Sequence, residues 1–164
     1  MRRWIVLAAG ALILGAVNVV IWQRETLLAE GRTVLLELAP VDPRSLMQGD
    51  YMALRFRLEN DAFPRQASKG LKDGRVVVTL DSRGVGAFSR FEDATPLAAN
   101  EARLRYRVRN ERVKFATNAF FFQEGEAARF QGARYGELRV AADGEMLLTA
   151  LRDEKLGLLG EQSR

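Results

Sequence analysis

YGELRVAADGEMLLTALRD, residues 135–153, decides the class of fold. Two runs, ELRVA and EMLLTAL, flank Asp143-Gly144. An Asp-Gly pair between strand-like runs is a favoured two-residue hairpin turn. The same period of two continues upstream. In ARLRYRVRNER (102–112), Arg103, Arg105, Arg107 and Arg109 alternate with Leu104, Tyr106 and Val108. That pattern predicts a half-buried strand with a stripe of guanidinium groups on its open face. RVVVTL (75–80) turns at DSRG into VGAFSRF (85–91), a second hairpin, and TVLLELAP (33–40) is a strand stopped by Pro40. In DYMALRFRL (50–58), Met52, Leu54 and Phe56 fall on one side and Tyr51, Ala53 and Arg55 on the other. This alternation predicts a strand over 50–58.

Between these runs lie the turn-rich segments NDAFPRQASKGLKDG (60–74) and FEDATPLAANE (91–101). AFFFQEG (119–125) is a short aromatic run in which Phe120, Phe121 and Phe122 cannot all face one side of a strand. If two are buried, the third covers a second core or meets another protein. EGEAARFQGA (124–133) predicts a helical turn or two, and KLGLLGEQSR (155–164) a frayed end. The sum is a mainly β chain: one N-terminal transmembrane helix, then an antiparallel β-sheet or barrel-like domain of about seven short strands with one short helix. The expected organisation is 1–32 as membrane anchor and linker, 33–155 as an extracytoplasmic β domain, and 156–164 as a flexible tail.

Composition narrows the chemistry. With no Cys and no His among 164 residues, there is no thiolate nucleophile, no imidazole base, no Cys/His metal site and no disulfide. The core must come from packing alone, and 48% hydrophobic residues supply the material. The formal charge of +4 is carried mostly by Arg, with Lys only at 69, 72, 114 and 155. It is not concentrated as a nucleic-acid binder would require, so no nucleic-acid partner is expected. No acid cluster has metal-ligand spacing and no glycine-rich phosphate loop occurs, so neither a metal nor a cofactor is expected; any small-molecule ligand is unknown.

Residues 4–22, WIVLAAGALILGAVNVVIW, pass without a charge. As a helix they span roughly 28 Å, close to a bilayer core of about 30 Å. Trp4 and Trp22 stand at the two ends, where amphipathic rings favour the interface. The exit VVIWQRE lacks the small-x-small pattern of a cleavage site, so an uncleaved signal anchor is expected. Arg2 and Arg3 place the N-terminus in the cytoplasm by the positive-inside rule. QRETLLAEGR (23–32) reads as a polar extension of the helix ended by Gly31.

One stretch remains: VDPRSLMQGDYMALRF, residues 41–56. Asp42-Pro43 opens a turn, Gly49 permits backbone angles that other residues resist, and Asp50 can accept a local backbone hydrogen bond. Tyr51 then starts the strand with a packed ring. A loop pinned in this way either serves the fold alone or also presents a recognition surface. GDYMALRF resembles the pattern of the GDYXXLXY family: Gly49, Asp50, Tyr51, Leu54, and an aromatic Phe56 where the family name has Tyr. The lost hydroxyl at Phe56 argues against chemistry by that final ring. The lead-in DPRSLMQ, with Asp42 and Arg44, and the later FFFQEG and ARYGELRV are also similar to the family. The resemblance implies a bacterial membrane-anchored protein, in the inner membrane with its C-terminal domain periplasmic, that works beside a multi-spanning membrane protein. It implies no reaction.

A weaker likeness, to the Gly-Asp box of signal peptidases, puts Val41 on the catalytic Ser, Ser45 on the Thr and Leu46 on the Leu of that box. Val has no nucleophilic atom, so a hydrolase would need a rebuilt Ser45 site and a Lys base such as Lys114. The main reading is a non-enzymatic accessory or interaction domain; the alternative is a rebuilt or degenerate Ser/Lys hydrolase. The Arg stripe is a candidate anion-binding face, or else a solvated strand face diluted by Glu101 and Glu111.

Overall fold

The structure, a computed structural model, describes residues 2–39, 47, 48, 51–63, 70–117 and 119–161. An uninterrupted helix, α1 (Arg2–Glu30), leads the chain. It ends where expected: the Gly31 amide donates to the Leu27 carbonyl at 2.9 Å, and a Cβ at position 31 would collide with that same oxygen. The rest is β1 (Arg32–Glu37), β2 (Met47–Gln48), β3 (Tyr51–Ala53), α2 (Arg57–Ala62), β4 (Gly74–Leu80), β5 (Gly86–Phe91), β6 (Glu101–Arg109), β7 (Arg112–Phe115), β8 (Ala119–Phe121), α3 (Ala127–Phe130), β9 (Tyr135–Val140), β10 (Met146–Arg152) and β11 (Leu158–Glu161).

Three antiparallel sheets result, in the orders β1-β9-β10-β11, β2-β3-β8 and β5-β4-β6-β7. Hairpin tips tie the two larger sheets together. The Leu35 amide donates to the Gly84 carbonyl at 2.9 Å, and the Arg105 amide donates to the Gly144 carbonyl at 2.8 Å. One apolar core fills the space between the sheets. Val34 and Leu36 of β1, Val76 and Val78 of β4, Leu104 and Tyr106 of β6, and Leu138 and Val140 of β9 all point into it. The period-two patterns therefore face the way their apolar residues require. The mainly β, antiparallel class with an N-terminal apolar helix is the observed one.

Three local expectations change. The strand predicted over 50–58 stops at Ala53, and α2 begins at Arg57. Leu58 and Ala62, four residues apart, are both buried, so a helix is what puts them on one face. The Phe56 amide, at the head of that helix, donates to the Glu59 carboxylate at 3.4 Å. The 141–145 hairpin is one residue longer than a two-residue turn: Ala141 donates to Glu145 at 2.8 Å and Gly144 to Ala141 at 3.0 Å. Gly144 has φ +89, which its lack of a Cβ allows. Finally, the 156–164 segment contributes β11, paired with β10, where a flexible tail was expected. Gly160 of this strand lies directly under the Phe130 ring of α3, a contact that a Cβ would block.

Candidate functional site

Two surfaces of the described domain carry more than packing. The first is formed around residues 51–56, the described end of the 41–56 stretch. Asp42, Arg44, Gly49 and Asp50 lie outside the described residues, as do Val41, Ser45 and Leu46. Tyr51, Leu54 and Phe56 are described, and they divide by side. Met52, Leu54 and Phe56, which alternation groups on one side, are all buried, with Phe56 only 1% exposed. Its ring packs on Gly136 of β9, where an added Cβ would stand 2.9 Å from Phe56 Cε1. Phe56 also bridges Leu38 beyond the end of β1. This aromatic position is thus a joint between sheets, and an aromatic ring without a hydroxyl suffices there.

Tyr51 faces outward and sits directly opposite Phe121 in the β3–β8 ladder. The ring centroids are 6.0 Å apart, tilted by 44°. Phe120 and Phe122 turn inward onto Phe130, with centroids 5.1 Å away in each case. Phe121 is the ring left over and is 52% exposed. Sequence periodicity showed that one of the three must be left over. It did not show that the remaining ring would lie beside Tyr51, because that depends on a strand pairing across about seventy residues of chain.

The second surface is the outer face of β4, β6 and β7, where the Arg stripe lies. Each guanidinium has a carboxylate partner. Arg103 Nε is 2.5 Å from Glu92, and Arg105 Nη1 is 2.5 Å from Glu145. Arg107 also reaches Glu145, at 3.1 Å, and Arg109 reaches Asp73 at 3.2 Å. Asp73 accepts the Val108 amide at 2.7 Å, and this bond, with the Arg109 charge, holds its carboxyl below the usual aspartate range. The acids named from sequence play other parts. Glu101 pairs with Arg90, while Glu111, in the β6–β7 turn, has no ion pair among the described residues.

Arg24, two residues past the end of the apolar run, joins this surface. It lines one cleft with Arg105, Arg107, Arg109, Lys114 and Glu145. The stem of α1 is seated on β9 and β10, beside this cleft, by Leu27, which is 7% exposed, and by Arg139 of β9, which donates to the Gly31 carbonyl at 3.0 Å. Above this stem the helix is bare. Val6, Leu7, Leu12, Ile13, Val19 and Ile21 are exposed, and no part of its most apolar stretch is buried. By length and composition this helix can cross a membrane.

The family described as GDYXXLXY protein matches this chain over residues 13–151, which takes in the last turns of the apolar run, the motif and both hairpins. Comparison with curated proteins and with solved structures returns no match. The likeness to signal peptidases finds no support in these comparisons.

Proposed function

The chain belongs to the GDYXXLXY family, and on that premise we propose that it is a membrane-anchored, non-enzymatic accessory domain of a multi-spanning membrane protein. The observation that supports this most is α1. Over residues 4–22 it carries no charge, and its described side chains there are uncovered by the domain. Such a surface is stable only in lipid or against other apolar helices. In this reading residues 1–32 anchor the chain uncleaved in a bacterial inner membrane, and residues 33–155 work on the periplasmic side. The Tyr51–Phe121 pair is the contact offered to the partner. Aromatic side chains give large contact area for little conformational entropy, which suits a small protein–protein patch.

Site-specific photocrosslinking in native membranes tests this. A crosslinker at position 121 is expected to capture a polytopic membrane protein, and Tyr51→Ala is expected to reduce that adduct. Capture of lipid alone, or the same adduct from position 83 on the 81–85 turn, would defeat the accessory-subunit reading. Topology is checked separately. Protease added to spheroplasts is expected to digest the β domain, and digestion only in inverted vesicles would reverse the orientation.

A further inference from the structure

We infer that the basic cleft between the foot of α1 and the β6–β7 hairpin holds the phosphate of an anionic phospholipid headgroup. The inference rests on the reading that α1 is embedded in a bilayer. Three observations carry it.

The first is height. Trp22 closes the apolar run, and Arg24 lies two residues further, about 3 Å along the helix axis. The polar layer of a bilayer leaflet is about 5–7 Å deep, so Arg24 stands within it. The cleft that Arg24 lines is at the same level. The 141–145 hairpin tip shares a neighbouring cleft with Val20 and Trp22, which brings the domain down to the end of the apolar segment.

The second is charge. Five cations, Arg24, Arg105, Arg107, Arg109 and Lys114, line a cleft of about 450 Å³, with Glu145 as the acidic side chain in that lining. Glu145 is shared between Arg105 and Arg107. Arg109 is matched by Asp73, whereas Arg24 and Lys114 have no ion pair among the described residues. Antiparallel register makes the excess sharper. Arg107 is directly opposite Lys114, and Arg75 directly opposite Arg105. Like charges facing each other across a ladder are destabilising. A phosphate between Arg24, Arg107 and Lys114 relieves that repulsion through charge-assisted hydrogen bonds.

The third is the remaining wall. Leu147 of β10, half-buried between the core residues Met146 and Leu148, also lines the cleft. An amphiphile can set its phosphate on the cations and its glycerol and first acyl carbons against Leu147. A free anion would leave that apolar contact unused.

The test uses the full chain, purified in a zwitterionic detergent, with short-chain phosphatidylglycerol, short-chain phosphatidylcholine and inorganic phosphate as separate probes. Lipid retention is read by native mass spectrometry and by the shift in melting temperature. Phosphatidylglycerol is expected to be retained in preference to phosphatidylcholine, with retention falling as salt is raised. Arg24→Gln and Lys114→Gln, which break no ion pair among the described residues, are each expected to weaken phosphatidylglycerol about fivefold. Arg112→Gln, on the same hairpin but outside the cleft, is expected to leave it unchanged. Arg24 is on the exposed helix stem, so its variant keeps the test valid even if Lys114→Gln unfolds. Equal retention of the two lipids overturns the inference. So does indifference to Arg24→Gln, or an equal response to inorganic phosphate alone. Carbonate extraction of native membranes separates the two readings. A chain released by carbonate refutes the anchor itself. A chain that stays in the pellet but shows no lipid preference refutes only the headgroup site.

Discussion

Tyr51 and Phe56 belong to one short motif, yet they occupy opposite environments. Phe56 closes the core between the sheets, wedged on Gly136, while Tyr51 stands on the outer face beside Phe121. The difference teaches that one motif combines a packing requirement with a surface feature: Tyr51 opens β3 on its outer face, while Phe56, past the end of that strand and at the head of α2, turns into the core. It also explains why the tyrosine of the family name is dispensable at position 56. A buried hydroxyl there would need a hydrogen-bond partner, whereas phenylalanine needs none.

The comparison predicts unequal losses. Phe56→Ala is expected to be the most damaging change, destabilising by about 3–5 kcal/mol through lost burial and the cavity left behind. Chemical denaturation of the full chain in detergent checks it, and a loss no larger than that of an outer-face variant would erase the distinction between the two sides. Gly136→Ala attacks the same joint from β9. Its Cβ would stand 2.9 Å from Phe56 and 3.1 Å from Leu148, so overpacking of about 1–3 kcal/mol is expected. The double variant Phe56→Leu with Gly136→Ala is expected to recover part of that, and strict additivity would show that the two residues do not share a contact.

On the outer face the expected stability effects shrink. Phe121→Ala removes a cross-strand aromatic pair, a change of about 0.2–1 kcal/mol. Its main consequence is expected in partner crosslinking, and a normal adduct would remove the aromatic pair from the proposed contact. Glu59 gives an effect that depends on pH. Burial raises its pKa above 4.5, against the Phe56 amide and the charges of Arg55 and Lys114. A raised folded-state pKa means that the stabilising contribution is complete below 4.5 and is lost as pH rises through the folded value. Melting curves of wild type and Glu59→Gln are therefore expected to coincide at low pH and to separate above 4.5, with Gln the more stable. Parallel curves would count against a desolvated carboxylate. The lowered carboxyls of Asp73, Asp81 and Asp93 act in the other direction, their contribution being lost as pH falls below 3.8. Smallest of all is Tyr51→Phe, expected within about 0.5 kcal/mol of wild type. A larger loss would mean that the phenol, and not only the ring, is held.

Sequence periodicity determined a good deal of this protein. Apolar length and the bare tryptophan ends marked a helix able to span a membrane, and Gly31 marked its stop. Alternation placed Leu104 and Tyr106 opposite the arginines of the stripe, and Met52, Leu54 and Phe56 together on one side. These are local properties, set by a repeat of two or of about 3.6 residues and readable within a few residues. The short helix at Arg57–Ala62 escaped that reading because Leu58 continues the alternation of Met52, Leu54 and Phe56 while Ala62 falls in a turn-rich segment, and only the fold gives the two a common core face. Tertiary structure alone decided which charges meet. Glu92, Asp73 and Glu145 reach the Arg stripe from other elements, and Arg24 comes to the same cleft from the helix stem. Tyr51 and Phe121 likewise become neighbours only through the β3–β8 register. Pairing between distant segments is a property of the closed sheets, and no local period encodes it.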